Sequence, residues 1–105
     1  MSAITTHVLD TAEGRPVAGM PVTLEYETSD GWREIGRGET DDDGRCRGLL
    51  AADAALVTGA YRITFETRAH FYPRVVVYFN VHDALQHYHI PLLLSPYGYS
   101  TYRGS

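Results

Sequence analysis

Apolar and polar residues alternate along most of this chain with a period of two, the spacing of β-strands. From Ile4 to Asp10, Ile4, Thr6 and Val8 fall on one face and Thr5, His7 and Leu9 on the other. Thr11 to Pro16 reads as a turn, punctuated by Gly14 and Pro16. Val22 to Glu27 alternates as a half-buried antiparallel strand does. Ser29-Asp30-Gly31 is a hairpin turn, and Trp32 to Glu39 is its return strand, irregular at Trp32 and Gly36. A tight acidic turn, Thr40 to Gly44, leads into a short strand expected over Arg45–Leu49. Leu49 to Thr58 tolerates helix but is too short and weakly patterned for more than a loop with one turn. Tyr61, Ile63 and Phe65 alternate with Arg62, Thr64 and Glu66.

The last third is denser. Val75 to Val81 reads as a strand buried on both faces, or buried on one and used in an interface on the other. His87 to Ser95 is the next strand. Pro91 demotes it to an edge, a strand end or a bulge, because proline brings no backbone N–H to a ladder. Pro96 ends it, and Tyr97 to Tyr102 is the last strand. About eight short strands at even spacing predict an all-β sandwich or barrel, with two sheets joined by Greek-key connections as the expected arrangement.

Length and composition narrow the function classes. The 105 residues make one domain with a modest core, taken over 1–105. A net charge of −4 gives no strong attraction to nucleic acid or an anionic membrane. No apolar run reaches the roughly 20 residues of a membrane-spanning helix, and the N-terminus has no basic head followed by an apolar core. Arg103-Gly104-Ser105 matches no C-terminal address signal. The single cysteine, Cys46, cannot form an intrachain disulfide, which fits a reducing, cytoplasmic setting.

The candidate chemistry lies at the two ends and the acidic turn. His87 and His89 share one face of their strand, and His7 stands on another. Three readings stay open at this level. The histidines are packed or surface residues, or a metal-free catalytic pair, or with all three imidazoles a zinc site with an open position for water. Arg45 and Arg47 either pair with Asp41, Asp42 or Asp43, or one of them reaches a site and holds an anion by its forked donors. Arg103 admits the same two readings. Tyr97, Tyr99 and Tyr102 suit core, interface or substrate stacking. Cys46 has no adjacent base and suits a small buried residue better than a nucleophile. There is no nucleophile elbow, phosphate loop or dinucleotide fingerprint.

Several stretches together carry a resemblance. They are Thr6-His7-Val8-Leu9-Asp10-Thr11 with Gly14-Arg15-Pro16, Thr40 to Arg45, Gly59-Ala60-Tyr61-Arg62, and His87-Tyr88-His89-Ile90-Pro91 through Tyr102-Arg103-Gly104-Ser105. Over essentially its whole length the chain resembles the 5-hydroxyisourate hydrolases, the enzymatic members of the transthyretin-like family. The closing Tyr-Arg-Gly-Ser is the most specific element, since it separates the hydrolases from the hormone carriers. The resemblance implies a sandwich of two four-stranded antiparallel sheets with at most one short helix. It implies a homotetramer, a dimer of dimers, with sites in the channel between dimers. It also implies hydrolytic opening of 5-hydroxyisourate, in urate degradation, to a ureidoimidazoline carboxylate, with neither metal nor other cofactor.

Carried over residue by residue, the catalytic set is His7, Arg45 and His89, and the substrate-binding set adds Tyr102, Arg103, Gly104 and Ser105. His87 falls outside the core set, and Arg47 is not the family's arginine. The connection Thr67–Pro73 departs from the family, being roughly eight residues shorter than its usual loop. It is expected to leave the site intact and to weaken the edge strand that follows. Two competing readings remain, a carrier that uses the same channel without turnover and a zinc hydrolase built on His7, His87 and His89.

Overall fold

A computed structural model describes residues 3–104. Nine strands follow in order: β1 (Ile4–Asp10), β2 (Arg15–Pro16), β3 (Pro21–Thr28), β4 (Gly31–Glu39), β5 (Arg45–Cys46), β6 (Gly59–Phe65), β7 (Val75–Val81), β8 (Tyr88–Ser95) and β9 (Gly98–Thr101). They form a four-stranded sheet, β4-β3-β6-β7, and a five-stranded sheet, β2-β1-β8-β9 with β5 also on β1. The two extra strands are two-residue pieces that share one edge of β1: β2 pairs Leu9 and Asp10, and β5 pairs Thr6 and Cys46, His7 and Arg45. Among the described residues no segment is helical.

The period-two pattern builds the core directly. Ile4, Thr6 and Val8 of β1 have no exposed surface, nor do Leu24 of β3, Ile63 and Phe65 of β6 and Leu92 of β8. Their side chains fill the space between the sheets, each large one contributing roughly 1.5–3 kcal/mol by leaving water. Thr6 is polar in this layer, and its hydroxyl donates to the Ile90 carbonyl. The other face of β1, with His7 and Leu9 half-buried, is turned outward.

Three strand expectations are corrected. The five-stranded sheet is not wholly antiparallel, because β1 and β8 run parallel in a seven-pair register from Ile4↔Tyr88 to Asp10↔Leu94. A parallel pair needs a long crossover, and here the other sheet supplies it. In consequence β8 is an interior strand, between β1 and β9, despite Pro91. Pro91 is tolerated by its phase. Even-numbered residues of β8 bond β1, as Tyr88 N–H to the Ala3 carbonyl shows, so the missing N–H of Pro91 faces the β9 side. There the ladder is interrupted between Leu92↔Thr101 and an isolated His89↔Gly104 bridge. The Thr101 hydroxyl donates to the Pro91 carbonyl at 2.6 Å. Third, β5 stops at Cys46 rather than Leu49. Consecutive Leu49 and Leu50 are both buried, which an alternating strand cannot achieve, so the chain leaves the sheet to anchor a loop.

β7 is buried on one face and exposed on the other, not buried on both. Val75 and Val81 are buried at its ends, while Val76 and Tyr78 are exposed. The short connection before it does not shorten it, since all seven residues of β7 pair with β6. The connection is closed on itself by Arg68 N–H to the Pro73 carbonyl and by the Thr67 hydroxyl to the Tyr72 carbonyl. It also rests against the β8–β9 hairpin through the ring pairs Phe71–Tyr97 and Tyr72–Tyr99.

Candidate active site

The outward face of β1 and β8 collects the histidines. In the sheet register His7 stands opposite Arg45 of β5, and Thr5 stands opposite His89 of β8. Directly opposed residues point to the same side of a sheet, so Thr5, His7, Arg45 and His89 project together. The rings of His7 and His89 have centroids 6.5 Å apart and are tilted by 35°.

The acidic turn before β5 positions His7 and Arg45. One carboxylate oxygen of Asp41 accepts the backbone N–H groups of Asp43 at 2.9 Å and Arg45 at 3.0 Å. The Arg45 N–H is the chief reason the Asp41 carboxyl sits below the usual carboxylate range. Its other oxygen pairs with Arg47 at 2.9 Å. Arg47 therefore pairs with the acidic turn, while Arg45 makes no ion pair among the described residues. The turn also presents the Asp43 carbonyl to Nε2 of His7 at 2.8 Å. A carbonyl only accepts, so the neutral His7 carries its proton on Nε2 and its lone pair on Nδ1. Gly44 makes this close approach possible. Its φ is +78°, and a Cβ there would lie 2.5 Å from the Val8 carbonyl oxygen and 3.3 Å from Cδ2 of His7.

His89 is held from two sides. Its Nδ1 lies 2.8 Å from the Thr5 hydroxyl, and the same hydroxyl lies 2.9 Å from Nε2 of His87. Behind its ring passes Gly104, whose N–H donates to the His89 carbonyl at 2.8 Å. Burial pushes the His89 pKa below the ordinary histidine value, and the charges of Arg45, His7 and His87 push it the same way. His89 is thus neutral at pH 7, with Nε2 free of the Thr5 contact.

The C-terminal tetrapeptide divides. Gly104 packs on His89, and Tyr102, two residues before it, is 57% exposed. Arg103 is turned elsewhere: its guanidinium lies 4.4 Å over the Tyr88 ring and donates to the Gln86 side chain at 2.8 Å. Within one chain Arg103 does not lie beside His7 and Arg45, and the substrate-binding role that the resemblance implies for it concerns the assembled channel. Ser105 lies outside the described residues. Cys46 is buried and its thiol pKa is raised by that burial, which suits a packing residue. Nor do the three histidines form a ligand set: among the described residues no group of three or more His, Cys, Asp or Glu side chains is arranged to hold a metal ion.

Two parts of the site escaped sequence reasoning. One is Thr5, the buried hydroxyl between two histidines. The other is the Asp43 backbone carbonyl, which no side-chain pattern reports. The phase of β1 was the available signal for Thr5, since it places Thr5 and His7 on one face.

The chain is 42% identical to the 5-hydroxyisourate hydrolase of Salmonella typhimurium, over 97% of this chain and 80% of that protein. It is 42% identical to the 5-hydroxyisourate hydrolase of Caulobacter vibrioides, covering 100% of both. Among solved structures, sea bream transthyretin, crystallised in complex with thyroxine, superposes with a TM-score of 0.89 at 28% identity, over 98% of this chain and 95% of that one. The family model of the HIUase/transthyretin family matches residues 4–104, and the chain belongs to that family.

Proposed function

We propose that this chain is a 5-hydroxyisourate hydrolase of urate degradation, with His7, Arg45 and His89 as its catalytic residues. The observation that carries the assignment is their convergence. Two imidazoles with ring centroids 6.5 Å apart, and an arginine opposite one of them, share an open sheet face. The family relation supplies the substrate, since the full-length relatives of similar sequence are hydroxyisourate hydrolases.

Hydrolysing a ring amide needs a base for water, a positive group for the oxyanion and an acid for the leaving nitrogen. His89, neutral at pH 7, takes one proton from water at Nε2 while the water oxygen bonds to the ring carbonyl carbon. Arg45 is always charged and stabilises the negative oxygen that forms. The C–N bond then breaks, and His89 returns the proton to the nitrogen. The new acid loses its proton to solvent and leaves as a carboxylate. His7, its Nε2–H held on the Asp43 carbonyl, offers Nδ1 to orient the water or a ring N–H. No step here calls on a metal or other cofactor. Tyr102 and Gly104 border the substrate, as do Arg103 and Ser105 where a second chain completes the site.

A sheet face is one wall, and a substrate needs an opposing one. We assign that wall to another subunit, in a homotetramer built as a dimer of dimers with the sites between dimers. The partly exposed outer strands β7 and β9, bearing Tyr78 at 62% and Tyr99 at 45% exposure, suit the contact within a dimer. No helix among the described residues is long and apolar enough to cross a membrane. The buried, unpaired Cys46 fits work in the reducing cytoplasm. Steady-state rates of His7→Ala, His89→Ala and Arg45→Ala on freshly generated 5-hydroxyisourate test the site. Each is expected to lose about 100-fold or more, and near-wild-type turnover in any one removes that residue from the mechanism.

A further inference from the structure

We propose that Thr5 and His87 are positioning residues that set the tautomer of His89 and relay its proton to solvent. The inference rests on His89 being the base of the proposed reaction. Its ground is the shared hydroxyl, 2.8 Å from Nδ1 of His89 and 2.9 Å from Nε2 of His87.

A hydroxyl has one proton to give. It cannot donate to both rings, so making both contacts requires one ring to donate to it. The two tautomers are therefore locked together. In the first arrangement His89 donates Nδ1–H to Thr5, and Thr5 donates to Nε2 of His87. The His89 lone pair is then on Nε2, where a base is needed. In the second, the His87 Nε2–H donates to Thr5 and Thr5 donates to Nδ1 of His89, which leaves His89 with Nε2–H, a donor. Thr5 is 8% exposed and cannot readily exchange these partners for water.

The same chain moves charge. When His89 takes a proton at Nε2, its Nδ1 proton passes to the Thr5 oxygen. The Thr5 proton passes to Nε2 of His87, and His87 releases its Nδ1 proton to solvent. One proton enters and one leaves, and the three residues reach the second arrangement. When His89 gives its Nε2 proton to the leaving nitrogen, the same shifts run in reverse, His87 takes a proton from solvent, and the first arrangement returns. The direction is set by surroundings. His89 is half-buried and faces Arg45 from β5, His7 from β1 and His87, the residue just before β8, all of which disfavour a cation there. His87 is exposed, and its carbonyl also accepts from Arg103 at 3.3 Å. The rest of β1 does not supply an alternative, because Thr6 is committed to the Ile90 carbonyl on the opposite face.

The test compares Thr5→Val, Thr5→Ser, His87→Gln and His89→Ala on freshly generated 5-hydroxyisourate, with 15N NMR of the His89 ring. Thr5→Val is expected to lower kcat about 10- to 100-fold, at or below the lower end of what a positioned proton carrier contributes, with KM within about twofold. It should also change the His89 ring nitrogen shifts, and Thr5→Ser should restore kcat. His87→Gln keeps a hydrogen-bonding partner but cannot become a cation. Its kcat should fall about tenfold and recover with added imidazole. Wild-type kcat and pH profile in His87→Gln, on an exposed residue where folding is not at stake, would overturn the relay. Unchanged His89 nitrogen shifts in folded Thr5→Val would overturn the tautomer role. A fully active His89→Ala would instead remove the reading on which both rest.

Discussion

Gly104→Ala isolates the placement of His89 from its chemistry. A Cβ at Gly104 would stand 2.6 Å from Cδ2 of His89 and 3.3 Å from Cγ of both His89 and Pro91. Ordinary contact begins at 3.4 Å, so ring and terminus must part by about 0.8 Å. The ring cannot swing away cheaply, because Nδ1 is tied to Thr5 at 2.8 Å and His7 lies on the same face. The terminus cannot lift without losing the Gly104 N–H bond to the His89 carbonyl at 2.8 Å. A misplacement of roughly 1 Å at a reacting group costs on the order of 100-fold, about 2.7 kcal/mol of transition-state stabilisation. Gly104 lies outside the buried core, so global stability should move by less than about 1 kcal/mol. The assay is kcat/KM on freshly generated 5-hydroxyisourate beside a thermal melt. Gly48→Ala serves as control, since a Cβ there meets nothing within 4 Å. Wild-type kcat/KM in Gly104→Ala, at unchanged melting temperature, would refute the claim that this glycine guards the ring.

Further outcomes follow from the same geometry. Gly44→Ala combines a left-handed φ of +78° with a clash on the Val8 backbone oxygen, and a denaturant titration should show a loss of about 1–3 kcal/mol. Arg62 pairs with Glu25 at 2.7 Å and lies 4.5 Å over the Trp32 ring, on the other sheet. Arg62→Ala should lower the melting temperature and leave turnover at the wild-type value. His89 is held below the ordinary histidine pKa, so its protonation should set an acid limb of kcat/KM below about pH 6.5. The unfolded chain binds the proton first as pH falls, so this group weakens the fold between the ordinary value and its lowered one, and melts should show stability rising with pH there. Removing Tyr102 to Ser105 should abolish most turnover while the melting temperature changes little.

The strands were legible because their faces differ. Ile4, Thr6 and Val8 are buried and His7 is turned outward along β1, as the alternation requires. Partners were not legible. Nothing local to Ile4–Asp10 says that it lies parallel to Tyr88–Ser95, and that pairing alone brings Thr5 to His89. Pro91 misled for the same reason, since its cost depends on which neighbour its missing N–H faces. At the site, His7, Arg45 and His89 carry rare chemistry and stand out in a sequence. Thr5 does not, because threonine is common in strands for its shape alone. Alternation near a chain end does not report a stacking partner, so the contact of Arg103 with Tyr88 was not legible either. The shortened Thr67–Pro73 connection left β7 at its full seven residues, because backbone and hydroxyl bonds close the loop before the strand begins.

The proposed site is the open face bearing His7, Arg45 and His89, acting on 5-hydroxyisourate. Its most direct test is the decay of freshly generated 5-hydroxyisourate, followed by absorbance with and without the purified chain. Decay well above the spontaneous rate is expected, proportional to protein concentration and lost in His89→Ala. Decay at the spontaneous rate, from a folded and assembled protein, would contradict it.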